Sequence, residues 1–171
     1  RLSIMVVIAG VTTSRHLPSL APYSLGIMAL LLTFFLGVLV FLANPLDRLP
    51  VALTDGQGIN PLLVHFGMFI HPPVQMLGLV SVAIPFSIAL GVLLSGEAGR
   101  DEWVDQGRRW AMISWFTLTA GLLLGAWWAY TILGWGGYWA WDPVENAAFM
   151  PWLAMTAFVH SIMVQKRRGM F

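Results

Sequence analysis

Four apolar runs, each about 20 residues long, constrain this chain more than any other feature. They cover residues 23–43, 73–94, 110–133 and 144–165, and a shorter run over residues 2–13 precedes them. At 1.5 Å per residue, a helix of about 20 residues crosses the ~30 Å hydrocarbon core of a bilayer. Inside that core each backbone N–H and C=O must be paired without water, so such runs fold as helices. The expected fold is all-α: a polytopic integral membrane helical bundle of about five spans, the first partial, forming a single transmembrane domain over residues 1–171. Charge content agrees, at 10% of residues against roughly 25% in an average soluble domain. The chain opens on Arg1, and Gly169-Met170-Phe171 follows a basic cluster, so it reads as a piece of a larger membrane protein.

The basic residues orient the bundle. Arg15, Arg100, Arg108, Arg109, Lys166, Arg167 and Arg168 fall in connections on one side, and Arg48 falls on the other. Positive residues mark the cytoplasmic side. The outer loops are then residues 44–72 and 134–143, facing the periplasm if the membrane is the inner (cytoplasmic) membrane of a Gram-negative bacterium. The net charge of +1, without a basic patch outside the cytoplasmic connections, points away from any nucleic-acid partner. The absence of cysteine excludes disulfides and thiolate chemistry by this chain.

The first outer loop is rich in proline and glycine up to Pro61, which predicts irregular backbone. Pro61 to Ile70 is apolar again but too short to span; it is expected to lie in the interface or to re-enter beneath the second outer loop. That second loop reads Trp135-Gly136-Gly137-Tyr138-Trp139-Ala140-Trp141-Asp142. A belt of interfacial aromatics accounts for Trp110, Trp115, Trp127 and Trp128. It does not account for Trp135, Trp139 and Trp141 set among glycines, which permit close backbone approach. Such a ribbon suits a flat aromatic ligand stacked on its rings. Asp142-Pro143-Val144-Glu145 reads as a helix start, with Asp as cap, Pro in the first turn and Glu early in the helix, so both acids are structural first and ligand-facing second.

Two of the four histidines stand out. His71 lies in Ile70-His71-Pro72-Pro73, at the outer entrance to the third span, where prolines give the imidazole a rigid mount. His160 lies inside the fifth span, where ionisable groups are rare and mark function. Imidazole is a usual axial partner of haem iron. Asp142 and His160 are 18 residues apart, about 27 Å along a helix, so His71 and His160 belong to separate sites. His65 reads as interfacial and His16 as solvated.

These motifs resemble the tryptophan-rich haem-handling proteins of cytochrome c biogenesis. The run Trp141-Asp142-Pro143-Val144-Glu145-Asn146-Ala147-Ala148-Phe149-Met150-Pro151-Trp152-Leu153 is similar to the CcmF/NrfE branch, the haem lyase type, and not to the carrier branches. Gly58-Ile59-Asn60-Pro61-Leu62-Leu63, Ile70-His71-Pro72-Pro73 and Gly125-Ala126-Trp127-Trp128-Ala129-Tyr130 carry the resemblance across nearly the whole chain. It implies that the tryptophan loop presents haem, as substrate, at the outer face, with His71 as one axial ligand. It implies that His160 ligates a separate haem b that keeps the incoming iron reduced, with quinol as the electron source. It also implies a haem chaperone, an apocytochrome c whose CxxCH thiols accept the haem vinyl groups, and a thiol-handling partner subunit. No catalytic acid or base is assigned, since thioether formation here asks chiefly for orientation. Two family histidines would lie beyond Phe171, so this chain alone is expected to be inactive. Tyr138 stands where Trp is common, and Val64-His65-Phe66 replaces a more polar stretch. A haem transporter or carrier of the same tryptophan-rich family, without ligation activity, is the alternative; a plain electron-transfer or structural subunit leaves His71 and His160 unexplained.

Overall fold

The computed structural model describes residues 2–48, 55, 56, 58–96, 102–132, 134 and 137–168. Among these, the chain runs through α1 (Leu2–His16), α2 (Ala21–Phe41), a 3-10 turn at Pro61–Leu63, α3 (Phe66–Ser81), α4 (Ala83–Ser95), α5 (Glu102–Ile132) and α6 (Pro143–Arg168), with no strand. Four helical segments are long and apolar enough to cross a membrane: Ala21–Phe41, Phe66–Ser95, Glu102–Ile132 and Pro143–Gln165. The protein is a polytopic helical membrane protein, and α1, at 15 residues, is the short first segment.

The third span differs from its expected start at Pro73. The helix begins at Phe66, so the stretch Phe66 to Ile70, expected to be interfacial or re-entrant, forms the opening of α3. Its cause is local: the His65 imidazole Nδ1 accepts from the Gly67 N–H at 3.0 Å and caps the helix. Pro72 and Pro73 stand inside the helix rather than at its entrance. Each lacks the N–H that would bond four residues back, so neither can satisfy the carbonyls of Met68 and Phe69 in the usual way. A third proline, Pro85, withholds its bond from Ser81, and there the span breaks at Val82 into α3 and α4. The fourth span begins at Glu102, ahead of the expected residue 110. At 31 residues it is about 46 Å long, more than the ~30 Å core needs, and its charged first turns therefore project beyond the apolar layer.

Small residues set the helix spacing. α3 and α5 run antiparallel in a tight seam, where Gly67 faces Trp128, His71 faces Gly125, Gln75 faces Gly121 and Gly78 faces Leu118. A Cβ on Gly78 would lie 2.6 Å from the Leu118 backbone, so the seam depends on the missing side chains, as membrane helix pairs often do. α2 packs on α4 through Gly91, against Ser24. Leu17, Leu20, Met28, Ile84, Ile88 and Val92 form the buried core there, with Trp103 and Trp110 against it. Phe34, Phe41, Leu93 and Phe116 are exposed, as lipid-facing side chains of a span are.

α5 and α6 are joined by two reciprocal bonds. Trp115 Nε1 donates to Thr156 Oγ1 at 2.8 Å, and Trp152 Nε1 donates to Thr119 Oγ1 at 2.7 Å. The two indoles stack with centroids 6.2 Å apart. Each indole N–H is thus satisfied away from water, where an unpaired one would cost about 1–3 kcal/mol.

Candidate functional site

The seam between α3 and α5 carries His71 at its middle. The ring is half-buried, and its Nδ1 lies 2.9 Å from the Gly121 carbonyl oxygen. A carbonyl only accepts, so Nδ1 carries the hydrogen and, in neutral imidazole, Nε2 keeps a bare lone pair. The ring rests against Gly125, where a Cβ would approach His71 Cε1 to 2.6 Å, and against Trp128, at a centroid distance of 5.9 Å. The rigid mount expected from the prolines comes instead from α5.

Beside His71 opens an apolar cavity of about 440 Å³. Its walls bring together residues from distant parts of the chain: His71 and Gln75 from α3, Trp128 from α5, and Trp139, Asp142 and Glu145 from the tryptophan loop and the start of α6. The structure therefore places one end of the tryptophan loop and His71 on a single cavity. The other loop residues are arranged differently. Tyr138 stacks on Tyr130 at 4.4 Å, and Trp141 is exposed, edge-on to Trp139 and Phe149. Gly137 is half-buried and does not line the cavity, while Trp135 and Gly136 lie outside the described residues.

The two acids hold the loop. Asp142 Oδ1 accepts from the Glu145 N–H at 2.7 Å, capping α6. Glu145 Oε2 accepts from the N–H groups of Ala140 and Trp141 at 2.7 and 2.9 Å. This reciprocal arrangement, a variant of the capping box, fixes Trp141 in the left-handed region at φ 59°.

His160 is separate from that site, as the helix arithmetic requires: α6 runs unbroken from Pro143 past it. Its Nδ1 lies 2.7 Å from the Thr156 carbonyl oxygen, so this ring also leaves Nε2 bare when neutral. It borders a cavity of about 310 Å³ walled by Met112, Trp115, Phe116, Val159 and Met163. His65 is in the opposite state, since its Nδ1 accepts a hydrogen bond as the cap of α3; its ring packs on Trp127 at 5.3 Å and does not line the cavity. Three residues of these sites, Gln75, Trp115 and Trp128, were not distinguished by their residue types. For Gln75 the signal was spacing: it is one helical turn from His71, and Gly121 and Gly125 repeat that step on the facing helix.

Both cavities suit a flat apolar ligand with a metal that takes one imidazole nitrogen. Over 160 residues the chain is 44% identical to the cytochrome c-type biogenesis protein CcmF of Pseudomonas aeruginosa, covering 92% of this chain and 24% of that protein. It is 42% identical over 156 residues to the probable cytochrome c-type biogenesis protein NrfE of Escherichia coli, covering 89% and 27%. It is 43% identical over 169 residues to the cytochrome c-type biogenesis protein CycK of Rhizobium meliloti, covering 97% and 24%. The chain thus spans about a quarter of the length of these relatives. No solved structure matches it. The family model for the cytochrome C assembly protein matches residues 2–170, and the chain belongs to that family.

Proposed function

We propose that this chain forms the haem-presenting part of a cytochrome c haem lyase. The observation that carries the reading is the single cavity shared by His71, with its bare Nε2, and Trp139 of the tryptophan loop. Haem enters as a substrate at the outer, periplasmic face of the inner membrane. His71 would supply one nitrogen to the haem iron, and the aromatic walls would orient the haem so that a vinyl group is offered to the thiols of a CxxCH peptide. Adding a thiol across a vinyl group breaks the S–H bond and the C=C π bond and forms an S–C and a C–H bond, with no leaving group. The chain's contribution is therefore to orient the partners. One oxygen each of Asp142 and Glu145 already accepts from backbone N–H groups of the loop and the start of α6.

His160 would hold a second, resident haem b, whose chemistry when bound is one-electron transfer. Thr156 fixes the imidazole tautomer through its carbonyl, and Trp115 and Phe116 wall the cavity. The electron source in this reading is quinol. A haem chaperone delivers the substrate, and a thiol-handling subunit brings the apocytochrome.

The test uses the full-length protein with a co-expressed cytochrome c. His71→Ala is expected to abolish covalent haem attachment while leaving the protein in the membrane. Unchanged maturation in that variant would sink the lyase reading. Lost haem delivery, with intact ligation when haem is supplied directly, would instead identify a carrier.

A further inference from the structure

The cavity beside His160 is apolar along its length, and cations follow it at one end. Met112 on α5 and Met163 on α6 line it on the side of the α5 start and the α6 end. One helical turn beyond each stands an arginine: Arg108 precedes Met112 by four residues, and Arg167 follows Met163 by four. Arg108 is also seven residues from Trp115, and Arg167 seven from His160. Steps of four and seven keep one helix face, so both arginines share the faces that build the cavity. The two helices are level there, because Gly107 of α5 packs against Ile162 of α6. The rule that gathers positive residues on one side of a membrane places charge at helix ends, but it does not choose a face.

Both guanidinium groups have donors to spare. Arg108 Nη2 lies 3.6 Å from Asp105 Oδ1, longer than a hydrogen bond, and its side chain is 34% exposed. Arg167 is exposed. One carboxylate beside two guanidinium groups leaves an excess of positive charge. The other end of the cavity offers none. Thr156 Oγ1 there accepts from Trp115 and donates to the Trp152 carbonyl at 2.8 Å, and no Lys or Arg is among the described lining residues. A carboxylate left in the apolar part would cost several kcal/mol in lost hydration. A ligand with an apolar body and one acidic edge therefore fits this cavity in one direction.

We propose that Arg108 and Arg167 receive the carboxylate edge of the ligand held at His160, through charge-assisted N–H···O bonds. The inference rests on haem being that ligand, since haem carries two propionate carboxylates on one edge and is otherwise apolar. Arg167 stands two turns, about 10 Å, from His160, which the macrocycle and its propionates can bridge. The arginines are then positioning residues: they fix how the ring is turned about the bond to His160. Their charge also favours the reduced form, since each electron added to the iron is a negative charge placed near them.

The experiment uses the full-length protein in detergent and reads the resident haem by resonance Raman spectroscopy and by redox titration. In Arg108→Gln/Arg167→Gln the haem is expected to stay on His160 while its propionate bending band shifts. The ratio of reduced to oxidised haem at a fixed ambient potential is expected to fall about three- to ten-fold, ten-fold being about 59 mV for one electron. Each single variant should show part of both changes, so the test survives loss of the double variant from the membrane. Arg108→Lys/Arg167→Lys keeps the charge and should hold the ratio within about two-fold of wild type. Arg48→Gln, beyond the far end of α2, removes the same charge and should alter neither reading. A propionate band unmoved in the glutamine variants overturns the inference, as does an equal change in Arg48→Gln. If His160→Ala keeps this haem, haem is not the ligand of the cavity, and the functional reading of His160 falls with the inference. If His160 is required but the band does not move, only the inference falls.

Discussion

The Nδ1 atom of His71 on α3 lies 2.9 Å from the carbonyl oxygen of Gly121 on α5. That bond decides which imidazole nitrogen is available, and it repeats at His160, whose Nδ1 meets the Thr156 carbonyl at 2.7 Å. Metal-ligating histidines commonly tie their second nitrogen in this way. His65 does the reverse, accepting at Nδ1 from Gly67. Backbone partners alone therefore sort three histidines into two ready for ligation and one committed to capping.

Gly125 is the test of the His71 mount. A Cβ there would stand 2.6 Å from Cε1 and 3.0 Å from Nδ1 of the ring. In Gly125→Ala the imidazole must turn, and its bond to Gly121 breaks. Haem affinity at this site is expected to fall at least about ten-fold, and stability by about 1–3 kcal/mol as for other overpacked positions. Optical titration measures the first, and the spectrum of the haem proposed at His160 serves as the control that should not move. Unchanged affinity would show that the ring is not held by this contact.

The capping role of His65 predicts a different pattern. His65→Ala removes the acceptor for the Gly67 N–H and should cost about 1 kcal/mol, while His65→Asn, with a good capping oxygen, should recover most of it. Both variants are expected to keep both haem spectra. A haem signal lost in His65→Asn would make this residue a ligand instead.

Much of this was legible from residue types, and the remainder was not for identifiable reasons. Span length, the tryptophan loop and the Asp142-Pro143-Val144-Glu145 helix start follow from local rules, and the structure carries Glu145 back onto Ala140 and Trp141 as such a start would. The start of α3 was missed because proline pairs usually mark helix ends, whereas Pro72-Pro73 sits inside a helix held by its seam with α5. That seam is a non-local fact: only pairing α3 with α5 puts Gly125 under His71 and turns Trp128 toward it. Trp115 was hidden likewise, since its partner Thr156 is 41 residues away.

The two Trp–Thr bonds between α5 and α6 give separable outcomes. Thr119→Val and Thr156→Val each leave an indole N–H unpaired, and each should lower stability by about 1–3 kcal/mol. Only Thr156→Val frees Trp115, which walls the His160 cavity. It is therefore expected to shift the His160 haem spectrum or its reduction potential without abolishing the haem, since the Thr156 carbonyl remains. His160→Ala should abolish it. Equal spectral effects from both threonine variants would count against a specific link between Thr156 and that cavity.

Trp141 is the one described non-glycine residue with positive φ, at 59°, a conformation costing about 1–2 kcal/mol for an L-residue. Three bonds oppose that cost: Glu145 accepts from the Ala140 and Trp141 N–H groups, and Asn146 Nδ2 donates to the Trp141 carbonyl at 3.0 Å. Such strain is kept where a surrounding network over-determines it, and here the network holds Trp139 on the cavity next to His71. Glu145→Ala should therefore release the loop. Hydrogen exchange at the Ala140 and Trp141 amides is expected to speed up by about ten-fold or more, as for loss of a bond of about 1.4 kcal/mol or greater, and haem affinity should fall in parallel. Glu145→Gln keeps an accepting oxygen and should lie much closer to wild type on both measurements. Exchange unchanged in Glu145→Ala would mean that the loop holds Trp141 without this carboxylate, and that the acid acts on the ligand rather than on the chain.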